Sequence, residues 1–120
     1  MVRTINAGHI RSKRRNIIRN LVTELLLHGH ISVTASRKLW VQKTFDNLIT
    51  LAKKGDLHSQ RQALQVLRKT RRLNDKDDYP LQKLQKLAEK YKNRSGGYLK
   101  VFHLQPRSGD NAPLFRLQVI

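Results

Sequence analysis

The chain has 120 residues, and 25 Lys and Arg against 8 Asp and Glu give it a formal charge of +17. A chain of this length encloses one hydrophobic core, and like charge at this density calls for a polyanionic partner such as nucleic acid or an acidic membrane face, which argues against a freestanding small-molecule enzyme. The absence of cysteine excludes disulfides, thiolate metal sites and a Cys nucleophile and fits a reducing cytoplasm, and no apolar run exceeds three residues, as at Leu25 to Leu27, so no segment is written to cross a bilayer.

The charge is unevenly placed. Residues 1–72 carry 16 basic and 3 acidic residues, residues 73–120 only 9 and 5, so the first half meets the partner most strongly. Residues 1–10 include Arg3 and lack apolar periodicity. They are expected to form a basic flexible arm ahead of a domain over 11–120. Asn16, Arg19 and Asn20 interrupt any signal-like apolar stretch, so this segment is expected to stay in the mature protein.

From about Arg11 the pattern predicts a helix, with Ile17, Ile18, Leu21, Val22, Leu25 and Leu26 on one stripe and Arg11, Arg15 and Arg19 on another face, stopping at Gly29. Ile31 to Thr34 is β-branched and predicts a short strand. Thr34 or Ser36 then caps a second helix running to about Lys54, with Val41, Phe45, Leu48 and Ala52 inward and Leu51 beside them. A third helix is predicted over about Ser59 to Lys69, with Ala63, Leu64 and Leu67 inward and Arg61, Arg68 and Lys69 outward. After the mixed-charge stretch RRLNDKDDYP, Pro80 opens a fourth helix in which Leu81, Leu84, Leu87, Ala88 and Tyr91 repeat, with Gly96 and Gly97 ending the segment. Two alternating runs follow, Tyr98 to His103 and Leu114 to Val119, and the turn-rich connector between them predicts a hairpin with a long loop.

Catalytic and metal chemistry find little to stand on. His28 and His30 lack further ligands, so they fit a helix C-terminus better than a metal site. Asp75, Asp77 and Asp78 are spaced somewhat like a calcium loop but lack its glycine and its bidentate Glu, and a solvated loop is the better reading. No phosphate-cradling loop, nucleophile elbow or paired catalytic acids occur, so no enzymatic activity, cofactor or metal is expected.

Arginine is what remains. Its guanidinium forks onto phosphate oxygens and stacks on exposed bases, which suits an irregular RNA. The candidate RNA-binding groups are Arg3, the cluster Arg11, Lys13, Arg14 and Arg15, Arg19, the pair Arg71 and Arg72, and Arg94 beside Gly96 and Gly97, where bare backbone admits a phosphate. In the connector Pro106 to Pro113, Gly109, Asp110 and Asn111 are turn formers that place Arg107 at a hairpin tip.

The segments RNLVTELLLHGHI (Arg19 to Ile31), LITLAKKGDLHSQRQAL (Leu48 to Leu64), RSGGYLKV (Arg94 to Val101) and RSGDNAPLFRLQVI (Arg107 to Ile120) resemble the bacterial large-subunit ribosomal protein seventeen family. The resemblance implies a compact α/β domain of α+β type, about four helices on a small sheet, with no enzymatic activity. It also implies cytoplasmic large-subunit rRNA and neighbouring ribosomal proteins as partners, near the rim of the peptide exit tunnel. By the same resemblance Arg19, Arg61, Arg94, Arg107 and Asn111 are carried over as RNA-binding positions, and Gly96, Gly97, Gly109 and Asp110 as backbone shapers. Arg37 stands where the family usually has Lys.

The chain departs from the family in two places. AGHIRSKRR replaces the usual arm motif ending in Ser-Ser-His-Arg, so arm contacts follow from charge alone. Leu39, Trp40 and Gln42 stand where the family tends to place charges, so Leu39 and Trp40 face a protein neighbour, fill an rRNA crevice or, for a tryptophan the commoner case, pack locally. The alternative function, a basic nucleoid or DNA-binding architectural protein, would need a base-reading helix or an apolar minor-groove wedge, and neither is recognisable.

Overall fold

The structure, a computed structural model, describes residues 7–67 and 80–120. Arg3, Arg71 and Arg72 lie outside the described residues, as do Arg68, Lys69 and the acidic triplet Asp75, Asp77 and Asp78. The elements in chain order are α1 (Ala7–His28), β1 (His30–Thr34), α2 (Ala35–Lys54), α3 (Leu57–Val66), α4 (Pro80–Lys90), β2 (Leu99–Leu104) and β3 (Leu114–Val119).

The apolar stripes build the core. Ile18, Val22, Leu25 and Leu26 of α1 pack with Val41, Phe45, Leu48 and Ile49 of α2, Ala63 of α3, Leu84 of α4, and Leu67, Tyr91 and Tyr98 from the connecting segments. Ile49 was not on the predicted stripe; it is fully buried because α2 is enclosed by α1, α3, α4 and the sheet, a wider arc than one amphipathic face.

The helix ends follow local chemistry. α1 starts at Ala7, four residues before the apolar periodicity that marks it, since Ala7 to Ile10 carry no repeating stripe. Lys83 on α4 donates its ammonium to the Leu27 carbonyl at 2.7 Å, covering one of the last-turn acceptors of α1. Thr34 occupies the N-cap of α2 without a side-chain cap bond, its hydroxyl lying 3.2 Å from that of Ser36 instead. Asp56 caps α3 by accepting from the Ser59 N–H at 2.8 Å, so this helix starts two residues before the predicted Ser59. The Ser59 hydroxyl and N–H together hold that carboxyl below its ordinary pKa.

Two expectations for the third and fourth helices need correction. The inward positions of α3 are Ser59 and Ala63, followed at the same spacing by Leu67 just past its end, which turns Leu64 outward to 49% exposure although it was expected inside. α4 ends at Lys90, well before the glycines, because Arg94 N–H bonds the Tyr91 carbonyl at 2.9 Å and folds the chain into a turn.

The three strands form an antiparallel sheet in the order β1-β3-β2. The expected hairpin is present, with Leu99 opposite Val119 and Leu104 opposite Leu114, and β1 completes the sheet from the other end of the chain with Val33 opposite Phe115. Phe115 and Leu117 face the helices and are buried, whereas β2 is held chiefly by β3 and is exposed along most of its length. The result is an α+β domain with helices on one face of a small sheet.

The chain end is tied in by a polar cluster. Lys53 Nζ donates to the Tyr98 hydroxyl at 2.6 Å, and that hydroxyl donates to the Arg94 carbonyl at 2.9 Å. The Tyr91 hydroxyl and Lys90 both reach the Ile120 carbonyl, and the Tyr91 and Tyr98 rings lie 5.2 Å apart.

Candidate nucleic-acid interface

The packing of α1 against α2 puts the basic cluster of α1 beside the start of α2. Arg11, Lys13, Arg14 and Arg15 are exposed, while Arg19, next to the core residue Ile18, is half-buried. Two grooves run between these helices. One, of about 410 Å³, is lined by Lys13, Arg14, Ile17 and Ile18 from α1 and by Ser36, Arg37 and Trp40 from α2. The other, of about 480 Å³, is lined by Arg11, Arg14, Arg15, Ile18 and Arg19, by Trp40 and Thr44, and by Val66 of α3.

Among the described residues, neither groove has an acidic residue in its lining. Six cations thus converge on a shared apolar floor, with no carboxylate among the described lining residues. Such a surface attracts polyanions, and its guanidinium planes are suited to phosphate oxygens.

The hairpin loop is separately built. The Arg107 guanidinium forks onto the Asp110 carboxylate, Nε donating to Oδ1 at 3.0 Å and Nη2 to Oδ2. Arg107 N–H bonds the Ala112 carbonyl and Asn111 N–H bonds the Arg107 carbonyl, both at 2.9 Å, while Ala112 N–H donates to Asp110 Oδ1 at 3.2 Å. Gly109 has φ 138° and Asn111 φ 55°, backbone states that glycine takes freely and asparagine tolerates. The fork from Arg107, aided by the Ala112 N–H, holds the Asp110 carboxyl well below its ordinary range, at about 2. The loop therefore displays a preset arginine whose charge is already partly matched.

At the turn before β2, Arg94 folds its Nε onto the Gly96 carbonyl at 3.0 Å, and Gly97 has φ 64°. Arg94, Arg107 and exposed Arg61 on α3 do not line the two grooves, so among the described residues the structure gathers Arg11, Lys13, Arg14, Arg15, Arg19 and Arg37 but not Arg61, Arg94, Gly96, Gly97, Arg107, Gly109 or Asn111. Among the histidines, His28 Nε2 lies 3.1 Å from Glu24 one turn back on α1, an ordinary helix-end pair. The groove also contains a residue left out of the candidate set, Trp40, which is 51% exposed. Its signal in the sequence is the spacing Arg37, Trp40, Lys43, a basic residue on either side of an aromatic at three-residue steps.

Comparison with known proteins identifies the family. Residues 17–120 match the family model described as ribosomal protein L17. The chain is 47% identical over 108 residues, 89% of each chain, to a protein of Mycoplasma capricolum named large ribosomal subunit protein bL17. It is 40% identical over 114 residues to the bL17 of a Thermoanaerobacter species, covering 94% of this chain and 95% of that one. The bL17 of Mesoplasma florum is 41% identical over 105 residues, 87% of each chain. The chain therefore belongs to the ribosomal protein L17 family.

Proposed function

We propose that this protein is a structural constituent of the bacterial large ribosomal subunit, cytoplasmic with the ribosome, and that it binds large-subunit rRNA rather than catalysing a reaction. The observation that carries the reading is the convergence of six cations on the α1–α2 surface of a chain in this family, with no acid among the described lining residues. Where rRNA segments crowd together their phosphates repel; fixed guanidinium and ammonium groups relieve that repulsion, and a rigid core holds those groups in one geometry.

Arg94 with Gly96 and Gly97, Arg107 with Gly109 and Asn111, Arg61, and Arg3, Arg71 and Arg72 would extend the contact to further RNA segments. Neighbouring ribosomal proteins are the other partners, and the family resemblance favours a position near the exit tunnel rim.

Filter binding of the purified chain to a large-subunit rRNA fragment tests the reading. Affinity should fall steeply with salt, with a log–log slope of about −0.7 to −0.9 per phosphate contacted. A slope indistinguishable from zero would show that the cationic surface does not hold the complex.

A further inference from the structure

We propose that Trp40 is a stacking platform for one unpaired RNA base, held in the cleft where the two arginine-lined grooves meet. The inference rests on the RNA-binding reading and adds to it the part of the RNA recognised at this surface. Trp40 is the only tryptophan in the chain, and it lines both grooves at once. About half of its surface is open, a large apolar exposure for a side chain that the core could have taken in.

The surroundings select the occupant. A protein partner placing acidic groups here would still have to cover the indole, whereas a nucleotide does both with one unit: the base has a π-face for the ring and the phosphate has oxygens for the guanidinium groups. Arg37 and Lys43 lie one helical step to either side of Trp40, and the Lys43 ammonium stands over the indole, 5.6 Å from its centroid, a cation–π contact that a base stacking on that face displaces, freeing the ammonium for the nucleotide's phosphate. The bases of a duplex are already stacked on one another and offer the indole only their edges. The cleft therefore prefers a bulged or looped base.

The single tryptophan makes the test direct. The full chain is titrated with a short single-stranded RNA of mixed sequence and with an RNA duplex of equal phosphate number, binding being followed by anisotropy of labelled RNA and stacking by tryptophan emission with unlabelled RNA. The single strand should quench the emission with the same midpoint as the anisotropy, and the duplex should bind without quenching. Trp40→Ala should lose roughly tenfold in affinity for the single strand and none for the duplex, with Trp40→Phe retaining most of it. Unchanged circular dichroism will show that the variants fold.

If both RNAs bind while the emission stays unmoved and Trp40→Ala binds like wild type, stacking is wrong and the rRNA reading stands. If neither RNA binds, both fall. If Trp40→Ala binds RNA normally yet drops out of assembled large subunits, the indole serves a protein neighbour and the proposal is overturned.

Discussion

Arg107 and Asp110 show how a single pair shapes a loop. The fork fixes the guanidinium before any RNA arrives, so the side chain has less rotamer freedom left to lose on binding. The Asp110 carboxyl should titrate at about 2, and Arg107→Ala should return it toward the ordinary aspartate range, as followed by carboxyl carbon shifts in NMR. The sign follows from the depressed value: the pair orders the loop fully above the ordinary aspartate pKa, and the order is lost as pH falls through about 2. An Asp110 titration unaltered in Arg107→Ala would remove the pair's role.

The same loop separates charge from shape. Arg107→Ala should weaken rRNA binding by about tenfold, the scale of one charge-assisted contact, with little change in thermal stability. Gly109→Val removes no charge, and a Cβ there would meet nothing within 4 Å, so any loss comes from the backbone at φ 138°. That strain is about 1–3 kcal/mol, enough to displace the loop and weaken binding. Equal binding by both variants and the wild type would make the loop an ordinary turn.

At the level of elements, α1 serves two masters. One stripe enters the core through Ile18, Val22, Leu25 and Leu26, while its first turns carry the exposed cations. Replacing Arg11, Lys13, Arg14 and Arg15 together by Gln should flatten the salt dependence of rRNA binding and leave the circular dichroism unchanged, because none of the four is in the core. The core stripes make the opposite prediction in denaturant unfolding: Phe45→Ala, at a fully buried site, should cost about 3–5 kcal/mol, and Leu64→Ala about 0.5 kcal/mol or less.

Legibility in the sequence followed periodicity and local turn chemistry. The stripe of α1, the β1 segment and the β2–β3 hairpin were readable, since each is marked by residues near one another in the chain. The pairing of β1 with β3 was not, because strands joined across most of the chain leave no short-range mark. Leu64 misled because four apolar residues within the five positions 63–67 fit more than one helical face, and only packing chose the Ser59 side. The basic cluster of α1 was readable from charge, but its meeting with Arg37 and Trp40 depends on how α1 lies against α2.

For the whole molecule, a charge of +17 on 120 residues is a burden in isolation and an asset against rRNA. The sheet and helices hold cations on α1, α2, the turn before β2 and the hairpin tip in fixed relation, so under the proposed function one domain would present several separate contacts to phosphate. The most direct test is sedimentation of the tagged chain from a bacterial lysate through a high-salt wash. Binding to large-subunit rRNA predicts that the chain co-migrates with the large subunit and stays with it after the wash; a pool that runs free or with DNA would contradict it.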